Sequence, residues 1–262
     1  MADYLFVSDF DKTLSVDDAG LLLSLKLGIS REEFEKKINF LRRKGLTKFG
    51  AEISYLMLHD PDYKGKVSKD ILIEVGSKIR LKRHIPELVK ILSQGIEGKH
   101  FSIHIISAAP QEIVQRALEG ILPPENVHGT TFRYNKEGIV VDVERAAAGA
   151  TKVEILDMIR KKEKVPIDRV IYVGDGFSDM YIILYVRTYH GYTIAVTPTS
   201  HIGNICKKTI ISNDALSLLV PILEDILKFS HDEIKSFFEK LGHPIQTWEK
   251  AKIEWLDLGT GP

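Results

Sequence analysis

An α/β fold is what this sequence predicts: a parallel sheet covered by helices on both faces, with an all-helical block inserted after the first strand. Three observations carry the prediction. Short β-rich apolar runs alternate with helical periodicities from about residue 85 onward. One apolar run, Tyr4–Ser8, stands apart near the start of the chain. Between the two, nothing in Asp17–Arg80 reads as a strand. Alternation of this kind builds parallel sheets, because each parallel connection must cross over a face of the sheet.

Taken in order, Tyr4–Ser8 is the first strand. Ala19–Leu27 is apolar and ends at Gly28, a residue suited to a helix C-terminus. Ser30-Arg31-Glu32-Glu33 is a capping-box pattern that opens a charged amphipathic helix through about Lys44, and Gly45 ends it. Leu46–Leu58 reads as a further helix, stopped by His59-Asp60-Pro61, and Val67–Ile79 as one more. Ile85–Gln94 and Gln111–Leu118 have helical spacing on either side of the β-rich run Phe101–Ile106. Thr131–Tyr134 and Ile139–Val143 flank Asn135-Lys136-Glu137-Gly138, a hairpin signal. Lys152–Lys162 is helical, Arg169–Val173, Thr193–Val196 and Thr209–Ile211 are strands, and Ala215–Phe229 is a helix. In the tail, Ser230 caps a helix carrying Ile234, Phe237, Phe238 and Leu241. Trp248, Ile253, Trp255 and Leu256 suggest a second amphipathic stretch, expected to dock on the core or to form a partner surface. The division expected is a Rossmann-like three-layer core of residues 1–15 and 82–262, with 230–262 as a helical extension, and a small all-helical insertion of residues 16–81.

Composition narrows the function. The 262 residues are 44% hydrophobic, enough to bury a full core. Lys+Arg and Asp+Glu are both 36, so there is no general attraction to nucleic acid or to an anionic membrane. A single cysteine, Cys206, excludes a disulfide framework or a cysteine-based zinc site within the chain. The N-terminal residues lack a basic region, and Asp9 interrupts the apolar stretch. The expectation is a soluble cytoplasmic protein, monomer or homodimer, without a signal peptide or membrane span.

Four strand or loop ends carry polar groups. Asp9, Asp11 and Thr13 follow the first strand. Carboxylates gathered at the carboxyl end of a strand, where open α/β sheets bind ligands, can hold Mg²⁺ and supply a nucleophile and an acid/base. Taken alone, the same segment is also a turn rich in Asp and Thr. Ser107 follows Phe101–Ile106, where a hydroxyl suits a phosphate oxygen or simply caps the next helix. Gly174-Asp175-Gly176-Phe177-Ser178-Asp179 adds two carboxylates after another strand, a hard-oxygen set that favours Mg²⁺. Lys152 opens a helix, either as a surface charge or as the cation that a phosphate and a carboxylate nucleophile need between them.

In this order the four resemble the motifs of the haloacid dehalogenase superfamily of phosphohydrolases. D-x-D-x-T reads as Asp9-Phe10-Asp11-Lys12-Thr13, the Ser/Thr after an apolar strand as Ser107, the lysine as Lys152, and G-D-x-x-x-D as Gly174-Asp175 through Asp179. The segment Asp17–Arg80 resembles the small helical cap of the phosphoserine phosphatase-like branch. The resemblance implies a Mg²⁺-dependent phosphatase acting on a small phosphorylated metabolite through an aspartyl-phosphate. It makes Asp9 the nucleophile and Asp11 the acid/base. It places Mg²⁺ on Asp9, the Asp11 carbonyl and Asp175, with Asp179 a direct or indirect ligand. It gives the phosphoryl oxygens to Ser107, Ala108 and Lys152, and the steadying of the turn to Thr13. The second Asp argues against dehalogenase and phosphonatase activities.

For the substrate's far end, Asp18 and Glu52 are candidates, with Lys48 and Tyr55 beside them. Phosphoserine enzymes use a cap Glu and a cap Arg. This chain offers Asp17 and Asp18 after the first motif and no Arg in Lys48–Tyr55, while Arg42, Arg43 and Lys44 are expected on a solvated helix face. Other phosphorylated alcohols, amines, sugars or nucleotides therefore compete with phosphoserine. Two further function classes stay open: a phosphotransferase passing the group to an acceptor alcohol, and a phospho-metabolite-binding regulatory module without turnover. The complete motif set argues against the second.

Overall fold

Seven strands form one sheet in the computed structural model, which describes residues 2–47, 50–197 and 200–246. They are β1 (Tyr4–Ser8), β2 (Phe101–Pro110), β3 (Val127–Tyr134), β4 (Val140–Arg145), β5 (Val170–Gly174), β6 (Tyr192–Ala195) and β7 (Lys208–Thr209). Their order is β4-β3-β2-β1-β5-β6-β7, parallel throughout except for the β3–β4 hairpin. The helices that matter here are α1 (Ala19–Lys26), α2 (Arg31–Lys44), α3 (Glu52–His59), α4 (Lys69–Gly76), α5 (Ile85–Gln94), α6 (Gln111–Ala117), α7 (Ala150–Glu163) and α8 (Met180–Thr188).

The central strands are apolar at successive positions because both faces are covered. Leu5, Phe6 and Val7 are all buried. Val7 pairs with Tyr172, and both belong to a core with Ile155 and Ile159 of α7 and Ile183 and Val186 of α8. α5 and α6 pack on β2 and β3. The result is the α/β sandwich that the alternation predicts.

The helical block leaves and rejoins the sheet at one place. Ser15 bridges to Leu81 in antiparallel fashion. The Val16 N–H donates to the Arg80 carbonyl and the Lys82 N–H to the Leu14 carbonyl, each at 2.8 Å. Asp17 adds an ion pair with Arg80 at 2.6 Å, and Asp18 caps α1 by accepting the Leu21 N–H at 3.0 Å.

The chain divides into two compact units, Met1–Leu218 and Leu219–Pro262, and the helical block and the sheet both lie in the first. In the second, a π-helical turn at Ile222–Ile226 is followed by the helix His231–Lys240. Ser230 and Glu233 cap that helix reciprocally, with Ser230 N–H to Glu233 Oε2 at 2.7 Å. Trp248, Ile253, Trp255 and Leu256 lie outside the described residues.

Three expectations are corrected. Leu46–Leu58 is helical only from Glu52, because Gly50 takes a left-handed conformation (φ +93°) that a helix cannot contain. Ala215–Phe229 is not one helix: it comprises a 3₁₀ turn at Ala215–Leu218, a short α turn ending at Pro221, and the π turn, consistent with a proline that lacks an N–H. β2 runs on through Ser107 to Pro110, so Ser107 is in strand rather than at a helix cap. Among the described residues no helix is long and apolar enough to cross a membrane.

Candidate active site

The sheet register brings three motifs to one edge. Ser8 pairs with Ile105 on one side and Val173 on the other, so Asp9 just past β1, Asp175 just past β5 and Ser107 within β2 reach the same edge. The Asp9 N–H donates to the Val173 carbonyl at 2.8 Å. Lys152, in the first turn of α7, is fully buried. Its Nζ donates to Asp9 Oδ1 at 2.9 Å and to Asp179 Oδ1 at 2.6 Å. Asp179 is buried too. It accepts the Tyr172 hydroxyl at 2.7 Å on Oδ1, and the N–H groups of Asp175 (3.2 Å) and Gly176 (3.4 Å) on Oδ2. Gly174 permits this arrangement: a Cβ there would lie 2.5 Å from Asp179 Oδ2.

One carboxylate oxygen each from Asp9, Asp175 and Asp179 lie within 4.8 Å of one another. Burial and the Asp179 charge push Asp9 up to about 6, and Lys152 opposes the rise. Burial, Asp9 and Asp179 push Asp175 up to about 8. Burial works against the Lys152 charge, but Asp179 and Asp9 override it and hold the ammonium above its ordinary pKa. Asp11 is raised well above the carboxylate range by burial and by Asp18, although the Ala19 N–H donates to its Oδ1 at 3.0 Å. Crowded oxygens whose protons are held into the neutral range suit a hard divalent cation. Both Asp179 oxygens are already engaged by donors, which leaves Asp9 and Asp175 as the carboxylates suited to take one.

A cavity of about 760 Å³ opens over this edge. Asp9, Asp11, Ser107, Ala108 and Asp175 line one end, and Asp18 and Glu52 line the side formed by the helical block. The Ser107 hydroxyl accepts the Ala109 N–H at 3.2 Å. Asp18 pairs with Lys12 at 3.0 Å. Glu52 is buried and accepts Arg42 Nε at 2.8 Å and the Gly50 N–H at 2.9 Å. Three expected site residues are not on the wall: Asp179 is buried behind it on Lys152 and Tyr172, and the other two are Lys152 and Thr13. Lys152 lies behind Asp9. Thr13 is buried with its hydroxyl unpartnered, and the turn is held instead by the Phe10 carbonyl, which accepts from the N–H groups of Thr13, Leu14 and Ser15. Tyr55 packs on His59, with ring centroids 4.5 Å apart, and Lys48 lies outside the described residues.

A family model for haloacid dehalogenase-like hydrolases matches residues 6–183. The chain belongs to that family. A substrate-bound phosphoserine phosphatase shares its fold with a TM-score of 0.64 at 20% identity, over 84% of this chain and 98% of the other. A HAD-family hydrolase from Salmonella enterica serovar Typhi gives 0.68 at 20% identity, over 86% of this chain and 72% of the other. A phosphoserine phosphohydrolase-like protein from Francisella tularensis gives 0.61 at 24% identity, over 85% and 100%. No curated protein matches by sequence.

In this HAD-like hydrolase, sequence reasoning missed three positions. Arg42 was expected on a solvated face, yet it stands on the cavity wall, held by Glu52. Its helix runs past α3, and the spacing of charges in α2 carries no record of that neighbour. Tyr172 reads as one more apolar strand residue, but its hydroxyl binds Asp179. Gly50 closes on the opposite wall: a Cβ there would lie 3.1 Å from the Cβ atoms of Ala108 and Ser178. Its signal in the sequence was a glycine within an expected helix.

Proposed function

We propose that this hydrolase is a Mg²⁺-dependent phosphatase that cleaves a small-molecule phosphomonoester through an aspartyl-phosphate on Asp9. The observation that carries the reading is Asp9 itself, a carboxylate at the end of a cavity with one oxygen on a buried lysine and Asp175 beside it. A phosphate monoester is an anion, and a carboxylate attacks it only where positive charge offsets both. Lys152 supplies one such charge from behind Asp9. Mg²⁺, held by Asp9, Asp175 and the Asp11 carbonyl, would supply the rest and draw the phosphoryl oxygens toward the nucleophile.

Asp9 attacks phosphorus, and the bond from phosphorus to the alcohol oxygen breaks. Asp11, whose burial and neighbour Asp18 favour the protonated form, gives its proton to the departing oxygen. It then takes a proton from the water that attacks the aspartyl-phosphate, which releases phosphate and restores Asp9. The Ser107 hydroxyl and the main chain at Ala108 hold phosphoryl oxygens. Asp179, anchored by Tyr172 and two N–H groups, positions Lys152. Residues 16–81 act as the cap, with Asp18 and Glu52 facing the substrate's far end.

The test is phosphate release from a panel of phosphomonoesters, with Mg²⁺ or EDTA, by the wild type and Asp9→Asn. Turnover should need both the cation and Asp9, with Asp9→Asn slower by ~1,000-fold or more and still folded. An Asp9→Asn protein that keeps more than about a tenth of the wild-type rate overturns the mechanism. Adding glycerol as an acceptor distinguishes hydrolysis from phosphoryl transfer.

A further inference from the structure

We infer that the alcohol this enzyme releases is uncharged and largely apolar, a chain or ring rather than a zwitterion, and that Gly20 is the position that makes room for it. The inference rests on the phosphomonoesterase reading above.

Charge on the cavity wall is already matched. Away from the phosphate end, four cations face the cavity among the described residues, and each meets a carboxylate that also faces it. Lys12 lies 3.0 Å from Asp18 and Arg31 3.8 Å from Glu35. Arg42 lies 2.8 Å from Glu52, and Arg80 2.6 Å from Asp17. A leaving group bearing a charge would have to compete with these partners, most strictly at Glu52, whose side chain is only 5% exposed and already holds Arg42.

Beside Asn39 and Ser178, the remaining wall carries an uncovered apolar stretch. Leu22 and Leu25 of α1 and Phe34 and Ile38 of α2 line the cavity, and Leu25 keeps 46% of its surface exposed. Apolar surface turned into a cavity is covered favourably by an apolar ligand.

Gly20 sits between the two regions, in the first turn of α1 and on the cavity wall. Glycine is a poorer helix former than alanine. A Cβ at this position would meet Asp18 Oδ1 at 3.4 Å, Phe34 Cζ at 3.4 Å and Ile53 Cγ1 at 3.5 Å, ordinary packing distances. The helix and its neighbours therefore do not demand a glycine. Its missing side chain leaves space between Asp18, Phe34 and Ile53, where the polar end of the cavity gives way to the apolar wall.

The experiment compares kcat/KM for ethyl phosphate, hexyl phosphate, hexyl phosphate with a terminal carboxylate, and phosphoserine. It uses the full chain and its Gly20→Ala and Gly20→Leu variants. Hexyl phosphate should exceed each of the other three by about tenfold or more. The hexyl-to-ethyl ratio should fall by about fivefold or more in the Gly20 variants. Gly20→Ala should melt no lower than the wild type, so a reduced ratio in that variant is not a folding defect. A wild-type hexyl-to-ethyl ratio near one, a preference for phosphoserine or the carboxylate-ended ester, or a ratio unmoved in Gly20→Ala overturns the inference and leaves the phosphatase reading standing. Absence of any Asp9-dependent turnover overturns that reading, and this inference with it.

Discussion

Replacing Lys152 with methionine removes the cation that Asp9 and Asp179 share, while nearly preserving side-chain length. The lysine is fully buried, and its Nζ lies 2.9 Å from one carboxylate and 2.6 Å from the other. Removing one partner of a buried ionic cluster costs about 3–5 kcal/mol, because the charges left behind are uncompensated. At about 2–4 °C per kcal/mol for a chain of this size, the melting temperature should fall by about 6–20 °C in EDTA. Asp9, already raised to about 6, should rise further, and turnover at neutral pH should be lost with it. Asp179→Asn in the Lys152→Met background removes one of the stranded charges. Its side chain can still meet Tyr172 and the loop N–H groups, so about 2 kcal/mol should return without restoring turnover. Thermal and urea unfolding at pH 7 measure both variants. A single variant that melts within about 2 °C of the wild type, or a double variant no more stable than the single, refutes the ionic account.

Three further outcomes are expected. Asp175 at about 8 and Asp9 at about 6 both lie above their ordinary value of 3.8, so the folded metal-free protein holds protons that the unfolded chain has lost. These two groups therefore make it less stable as pH rises toward 8. Mg²⁺ should remove that penalty. The rise in melting temperature that it causes should grow from pH 6 to pH 8 and vanish in Asp175→Asn, and a pH-independent rise contradicts the assignment. Burial depresses His104 and His128, paired at 3.2 Å, to about 4. The unfolded chain, with histidines at about 6.5, then takes up protons first, and this pair's contribution to stability is lost as pH falls from 6.5 to 4. An imidazole NMR titration should find both midpoints near 4, and a midpoint at 6 or above refutes it. Gly50→Ala places a Cβ 3.1 Å from those of Ala108 and Ser178, at a φ of +93° that disfavours alanine. It should cost about 1 kcal/mol or more in stability and lower kcat/KM by about tenfold, and an unchanged kcat/KM shows that the α3 loop does not close on the site.

The candidate site's carboxylates were legible because each piece is local. Asp9 and Asp11 follow an apolar run, and Gly174-Asp175 follows another. A strand that ends in carboxylates and glycine announces itself within a few residues. The hairpin around Asn135–Gly138 was legible for the same reason, since turn chemistry resides in the turn. The helix α8, Met180–Thr188, was not anticipated. Its Tyr, Ile and Val residues favour strands when read alone, yet they pack as a helix against β5 and β6.

The sequence by itself determined the alternation of strands with most of the helices, the insertion after β1, and which carboxylates stand at which strand ends. Those properties follow from the periodicity of side chains along the backbone and from the few residues that turns and caps accept. Tertiary structure alone decided that Lys152 lies behind Asp9 and bridges it to Asp179, that Tyr172 anchors that bridge, that Arg42 turns into the cavity on Glu52, and that Gly50 meets Ala108 and Ser178. Each is a distance between residues far apart in the chain, set by how helices cross and how deeply charges are buried. Coulombic and desolvation energies depend on that separation and depth, which no local pattern encodes.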